Sequence, residues 1–292
     1  MIFENYHPAA LFLYFLSVLM AAMFITNPVI QCMALLGACL FCVMLHRDRG
    51  LLSDVGLYVS LFLLVSVSNP IFSHNGMTPL FFINNNPVTL EAVVYGVFIA
   101  VMLVSVLLWC RAYSTVMTTD KFIYLFGRII PKLSLTLSMT LRFIPMLRRR
   151  MRQVSDAQRA AGLYASGSYI DRVRGAMSVF SAIVSWSMEN AIETSMSMKS
   201  RGYGLEGRTN YAPFRFYPAD GVLLGVTVSL LAVTLAGVGT GQTAFNYYPS
   251  ISSINDSYFA LTVYVAFGAL CLMPFLIELF GRIKWKYYIS KI

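Results

Sequence analysis

The chain has 292 residues, of which 58% are hydrophobic and only 12% charged, against about 25% charged in a soluble domain. That balance excludes a water-soluble protein, and the apolar runs are about 20 residues long, as helical spans require, not the alternating ten-residue strands of a barrel. The formal charge of +9 is informative because of where it sits. The 22 Lys and Arg fall at Arg47 and Arg49, sixteen times between Arg111 and Arg215, and four times from Arg282 to Lys291, with none in 1–46, 50–110 or 216–281. Basic residues beside spans mark the cytoplasmic side, so the map reads as topology and removes nucleic acid as the reason for the basic balance.

In chain order, a first span is expected over Ala9–Ile25, without the basic leader or small-residue cleavage site of a signal peptide, turning at Thr26-Asn27-Pro28. A second, Val29–Leu45, emerges inside at His46-Arg47-Asp48-Arg49-Gly50. The third, Val55–Phe72, carries Asn69-Pro70 near its far end, where proline kinks or ends the helix. The loop from Ser73 to Pro87 has no basic residue and reads as outside. A fourth span, Val88–Cys110, returns to the cytoplasm at Arg111, with Glu91 at an outer end open to water. The fifth, Gly221–Val238, starts on Gly221-Val-Leu-Leu-Gly225, a pattern that permits close helix approach. The last, Tyr258–Phe280, contains Pro274 and delivers Arg282, Lys284, Lys286 and Lys291 to the inside. The expectation is an all-α integral membrane protein of about six transmembrane helices. Its parts are a four-span membrane domain (1–111), a cytoplasmic or interfacial domain (112–220) inserted before the last two spans, and a two-span C-terminal segment (221–292), with both termini cytoplasmic.

The insertion carries the two most distinctive stretches. Ile144, Leu147, Met151, Val154, Gln158 and Ala161 recur at spacings of three and four, a seam along one helical face. Arg148, Arg152 and Arg159 share another face, with Asp156 one turn from Arg152. Phe180, Ile183, Val184, Ala191 and Met198 make a similar stripe in a second segment. Both segments carry arginine towards a C-terminal end and stop on glycine, Gly162 and Gly202, the residue that takes the left-handed conformation of a helix end. Arg159 and Arg201 lie 42 positions apart. Basic amphipathic helices of this kind pack on each other or lie on a bilayer.

Chemistry of its own is missing from the sequence. There is no GxxxxGK[ST] phosphate loop, His7, His46 and His74 lack partners at ligand spacing, and no span has a central charge of the sort ion-coupled transporters use. Tyr164-Ala165-Ser166-Gly167 has the outline of a serine elbow, but no later span supplies a histidine base. The five cysteines fall inside apolar runs and read as small packing residues, including the formal CxxC of Cys39 and Cys42. Glu189 and Glu193, one turn apart, read as partners for neighbouring arginines. No catalytic residue, metal site or bound cofactor is expected.

Three motifs carry a resemblance: Arg142-x-x-Pro145, Ala157-Gln158-Arg159-Ala160-Ala161-Gly162, and Met198-Lys199-Ser200-Arg201-Gly202-Tyr203-Gly204. In that order they resemble the transmembrane T component of energy-coupling factor (ECF) transporters, the vitamin and transition-metal importers of prokaryotes. The resemblance covers most of the chain in plan and about sixty residues in motif. It implies that Ser200-Arg201-Gly202 and Ala160-Ala161-Gly162 are Ala-Arg-Gly-like triplets at the ends of two coupling helices, with Arg142, Pro145, Arg148 and Arg152 in support. It also implies docking on two cytoplasmic ABC-type ATPase subunits that bind ATP and Mg, beside a membrane-embedded substrate-binding S component, in a prokaryotic cell membrane. The first triplet departs from the family, because Ala161 stands where the arginine belongs. Arg159 is two residues earlier, about 200° round a helix. Either the chain unwinds there and Arg159 reaches the same acidic site, or this half docks mainly by shape. The other class of reading is a membrane-embedded enzyme or lipid-headgroup-binding protein that uses Arg148, Arg149, Arg150 and Arg152.

Overall fold

The computed structural model describes residues 3–45, 50–73, 75–83, 86–127, 130–162, 169–206 and 214–289. The turn at His46 to Arg49, His74, the Tyr164 to Gly167 stretch and Lys291 lie outside the described residues. The described chain is all-α apart from one hairpin, and it forms two compact units, Met1–Thr119 with Phe214–Ile292, and Asp120–Pro213.

The first unit holds six apolar helices: α1 (Pro8–Phe24), α2 (Pro28–Leu45), α3 (Gly50–Phe72), α4 (Leu90–Val116), and, numbered after the three helices of the second unit, α8 (Pro218–Gly239) and α9 (Tyr258–Ile289). Five are long and apolar enough to cross a membrane. At 17 residues α1 is the shortest, at the lower limit of a span, and it is the most enclosed. Leu11, Tyr14, Phe15 and Val18 are fully buried. They pack round an aromatic cluster in which Phe3, Phe15, Phe41 and Trp109 meet edge-on or stacked. Its polar tips are satisfied without water: Trp109 Nε1 donates to the Ala34 carbonyl at 3.1 Å and Tyr14 OH to that of Leu270 at 2.9 Å. Inside a bilayer such tips have no other partner.

Polar contacts tie the helix ends into two layers. At one end the Phe3 amide donates to Glu278 Oε2 (3.3 Å), the His7 amide to Asp220 Oδ1 (2.8 Å), and Arg282 Nη2 to the Met44 carbonyl (2.6 Å). The starts of α1 and α8 and the ends of α2 and α9 therefore meet. At the other end Asn27 Nδ2 donates to the Thr243 carbonyl and to Tyr264 OH, and Tyr247 OH to the Thr26 carbonyl.

Four details differ from the sequence expectation. The 73–87 loop carries an antiparallel hairpin, β1 (Pro79–Ile83) and β2 (Asn86–Thr89). Glu91 is buried, not open to water, and its Oε2 accepts from Thr78 Oγ1 at 2.9 Å and from the Thr78 amide at 3.3 Å, so the hairpin folds over the carboxylate. Gly221 and Gly225 make no close helix approach. That role falls to Gly37, where a Cβ would come within 2.7 Å of Cys271 Cβ, and to Gly96, where it would meet the Ser66 carbonyl at 2.8 Å. Of the cysteines only Cys42 and Cys271 are buried; Cys32, Cys39 and Cys110 are exposed.

The described residues of the second unit form three helices and their ends: α5 (Thr119–Gly127), α6 (Pro131–Ala160) and α7 (Tyr169–Ser200). Ser134 Oγ donates to the Ile123 carbonyl (3.2 Å), which links the first turn of α6 to α5.

Candidate functional site

Helices α6 and α7 pack along a seam one residue displaced on α7 from the predicted stripe. Gly175 and Val179 are buried and Ile183 and Trp186 partly so, while Phe180 is 66% exposed and Val184 also faces out. On α6 the packed side chains are Phe143, Leu147, Val154 and Gln158, whereas Ile144 and Met151 are exposed. The displacement has a physical cause. Trp186 brings the largest flat surface in α7. It stacks on Phe143 with centroids 5.9 Å apart and planes 12° off parallel, while the Arg150 guanidinium sits 5.6 Å over its indole. Offset stacking and cation–π contact add to the apolar area of the indole, which is larger than that of a Val. Sequence reading passed over Trp186. Its place three residues after Ile183 and seven after Val179 is the signal that would have found it. Further along, Gln158 Nε2 donates to Ser178 Oγ at 2.8 Å.

Between the two helices lies a groove of about 480 Å³, lined from α6 by Met151, Arg152, Asp156 and Arg159 and from α7 by Val179, Phe180 and Ile183. Arg142, Arg148 and Arg152 are all exposed on α6, and Pro145 is accommodated within that helix. Glu189 and Glu193, expected to partner arginines, form no ion pair among the described residues.

The two helix ends are built alike. In α7 the amide of Gly202 donates to the Lys199 carbonyl and that of Tyr203 to Met198, both at 3.0 Å, with Gly202 at φ +77°. This is the paired bonding that closes a helix on a left-handed residue, and it sets Arg201, exposed, as the last residue before the reversal. Ser200 Oγ turns back onto the Ser197 carbonyl at 2.9 Å. In α6 the helix runs unbroken through Ala160, the Ala161 amide still donates to Ala157, and the Gly162 amide donates to Arg159, with Gly162 at φ +82°. Arg159 is thus held inside a helical turn and lines the groove. The chain is not unwound there. Ala160, Ala161 and Gly162 form an exposed, small-residue tip without a charge at the position of Arg201.

Residues 3–211 match the family model described as CbiQ, cobalt transport protein. Among curated proteins, the energy-coupling factor transporter transmembrane protein EcfT of Bacillus selenitireducens is 34% identical over 107 residues, 36% of this chain and 40% of that protein. The EcfT proteins of Lactococcus lactis subsp. cremoris (30% over 108 residues, 36% and 40%) and Listeria innocua (33% over 97 residues, 32% and 37%) are similar to it to the same degree. The chain thus spans about 40% of the length of these curated relatives.

Proposed function

Given that the chain belongs to the CbiQ family of cobalt transport proteins, we propose that it is the energy-coupling transmembrane subunit, the T component, of an ECF-type importer for a vitamin or metal ion. In this reading the six apolar helices cross the membrane and both termini are cytoplasmic. Support comes from the layer in which the starts of α1 and α8 meet the ends of α2 and α9. Arg282, Lys284 and Lys286 stand towards the end of α9 in that layer and Arg215 just before the start of α8, and basic residues favour the cytoplasmic face.

The observation that carries the reading is the matched pair of helix ends, each closed on a left-handed glycine, with Arg201 at the tip of α7. A guanidinium there offers five donors in a fixed fork to carboxylates and carbonyls of a partner. The α6 tip, with Ala161 where an arginine would be expected, docks by shape: its small side chains let a partner surface approach the helix end closely. Two ABC-type ATPase subunits, which bind ATP and Mg and hydrolyse the nucleotide, receive the two tips. When they close, the tips are drawn together, and the long helices convert that movement into displacement of a substrate-binding S component. Exposed Met177, Phe180, Met188 and Ile192 on α7 offer apolar surface for such a neighbour or for lipid. This chain itself performs no chemistry in the scheme.

The test is co-purification. Arg201→Glu, exposed and outside any packing contact described above, is expected to abolish recovery of nucleotide-binding subunits while membrane insertion stays intact. Undiminished recovery would refute docking through this tip. Turnover of a small molecule by the isolated chain would support the enzyme reading instead.

A further inference from the structure

We propose that the groove between α2 and α9, at the end of the first unit where Glu278 and Arg282 lie, holds a phospholipid with a net negative headgroup. The groove has a volume of about 300 Å³ and is lined by Leu40, Val43, Met44, Phe275 and Arg282. Its floor is apolar, and Leu40 and Val43 are 40% and 63% exposed, a surface that suits acyl chain. Its mouth is cationic and built. Arg282 Nη2 donates to the Met44 carbonyl at 2.6 Å, and its Nε lies 3.5 Å from Glu278 Oε1. Those contacts hold the guanidinium in place while 40% of the side chain stays accessible. Glu278 is turned inward at 6% and also accepts from the Phe3 amide, so the carboxylate faces the protein and the guanidinium faces the groove.

The residues beyond Arg282 extend the same chemistry. Lys286 follows one turn later, about 40° round the helix from Arg282, whereas Lys284 is displaced by about 200°. Phe275, Arg282 and Lys286 therefore form one stripe that passes from apolar to cationic along α9, as a phospholipid does from chain to phosphate. An arginine fork with a neighbouring ammonium is suited to phosphate oxygens. Trp285, Tyr287 and Tyr288 in the same turns are all more than half exposed, the residue types that sit at headgroup depth. A net negative headgroup is favoured because these turns of α9 carry Arg282 and Lys286 against one carboxylate, Glu278, which is turned inward.

The experiment uses the full chain in mixed micelles containing equal phosphatidylglycerol and phosphatidylcholine of the same acyl chains, with bound lipid read by native mass spectrometry. Phosphatidylglycerol is expected to be retained preferentially. Lys286→Gln should lower that retention roughly fivefold, the effect of one cation at an anionic surface, while Lys284→Gln leaves it unchanged. Val43→Trp, which fills the groove from an exposed position, should lower it as well. Equal retention of the two lipids, or equal loss in both lysine variants, would reduce the effect to general surface charge and overturn the site. Loss with Lys286→Gln but none with Val43→Trp would also overturn it, since a headgroup bound without its chain does not occupy the groove.

Discussion

The amide of His7 donates to the carboxylate of Asp220 at 2.8 Å across 213 positions of sequence, and the same carboxylate accepts from the Tyr217 amide, also at 2.8 Å. Asp220 is 2% exposed. One buried side chain thus fastens the N-terminal segment to the point where the chain begins α8. Removing it leaves two part-buried amides without their acceptor, a loss of at most about 1–3 kcal/mol for each. Asp220→Ala is accordingly expected to lower the melting temperature in detergent strongly, and Asp220→Asn, which keeps one acceptor, less so. Equal melting of all three proteins would remove Asp220 from this role.

His7 gives the same region a pH dependence. Its Nδ1 accepts from the Ala9 amide at the start of α1, and burial holds its pKa below the usual 6.5, with the Asp220 charge opposing the shift. A histidine depressed in the folded state binds fewer protons than the unfolded chain below pH 6.5, so stability rises with pH across that window. It is fully present above about 6.5 and is lost as pH falls towards the folded-state value. Thermal melts of the wild type between pH 7.5 and 5 should show this loss, and His7→Asn, which keeps a capping oxygen, should flatten it. A flat wild-type profile would contradict the assignment.

Gly162 and Gly202 are both left-handed, yet they differ in surroundings. A Cβ at Gly162 meets open space, while one at Gly202 would lie 3.1 Å from Leu205 Cδ1. Alanine in the left-handed region costs about 1–2 kcal/mol. Gly162→Ala should show that penalty alone, and Gly202→Ala a larger one, visible as faster amide exchange in the last turn of α7. The ranking is the prediction, and its reversal would be the negative result.

Trp186 is expected to set how α6 and α7 are held together. Trp186→Ala removes both the Phe143 stack and the Arg150 contact, each worth about 0.5–1.5 kcal/mol beyond the area buried. Hydrogen exchange should report lost protection along α6 and α7 with the core round Trp109 unaffected. Trp186→Phe, which keeps a ring on Phe143, should restore most of it.

Much of this protein could be read before any coordinates. Long apolar runs, and the absence of Lys and Arg from 50–110 and 216–281, were enough for an all-α membrane protein, because a bilayer permits little else than a helix with its backbone bonds closed internally. The glycines at 162 and 202 announced the helix ends for a similarly local reason. Pairing between elements was not legible. The α7 stripe slipped by a residue because Trp186 found Phe143 on another helix, and the small-residue pattern at Gly221 and Gly225 is unused while Gly37, Gly96 and, further along α8, Gly237 do the close packing.

Local conformational preference and solvent partition belong to each segment alone, so the sequence determined which stretches are helical, which are apolar enough to cross a membrane and where two of them terminate. Which carboxylate meets which amide was decided only in the tertiary structure. Glu278 and Asp220 become buried anchors because amides 275 and 213 positions away are brought within 3.3 Å, and Glu91 passes under a hairpin that folds back on it from 13 positions earlier. No local rule encodes such distances.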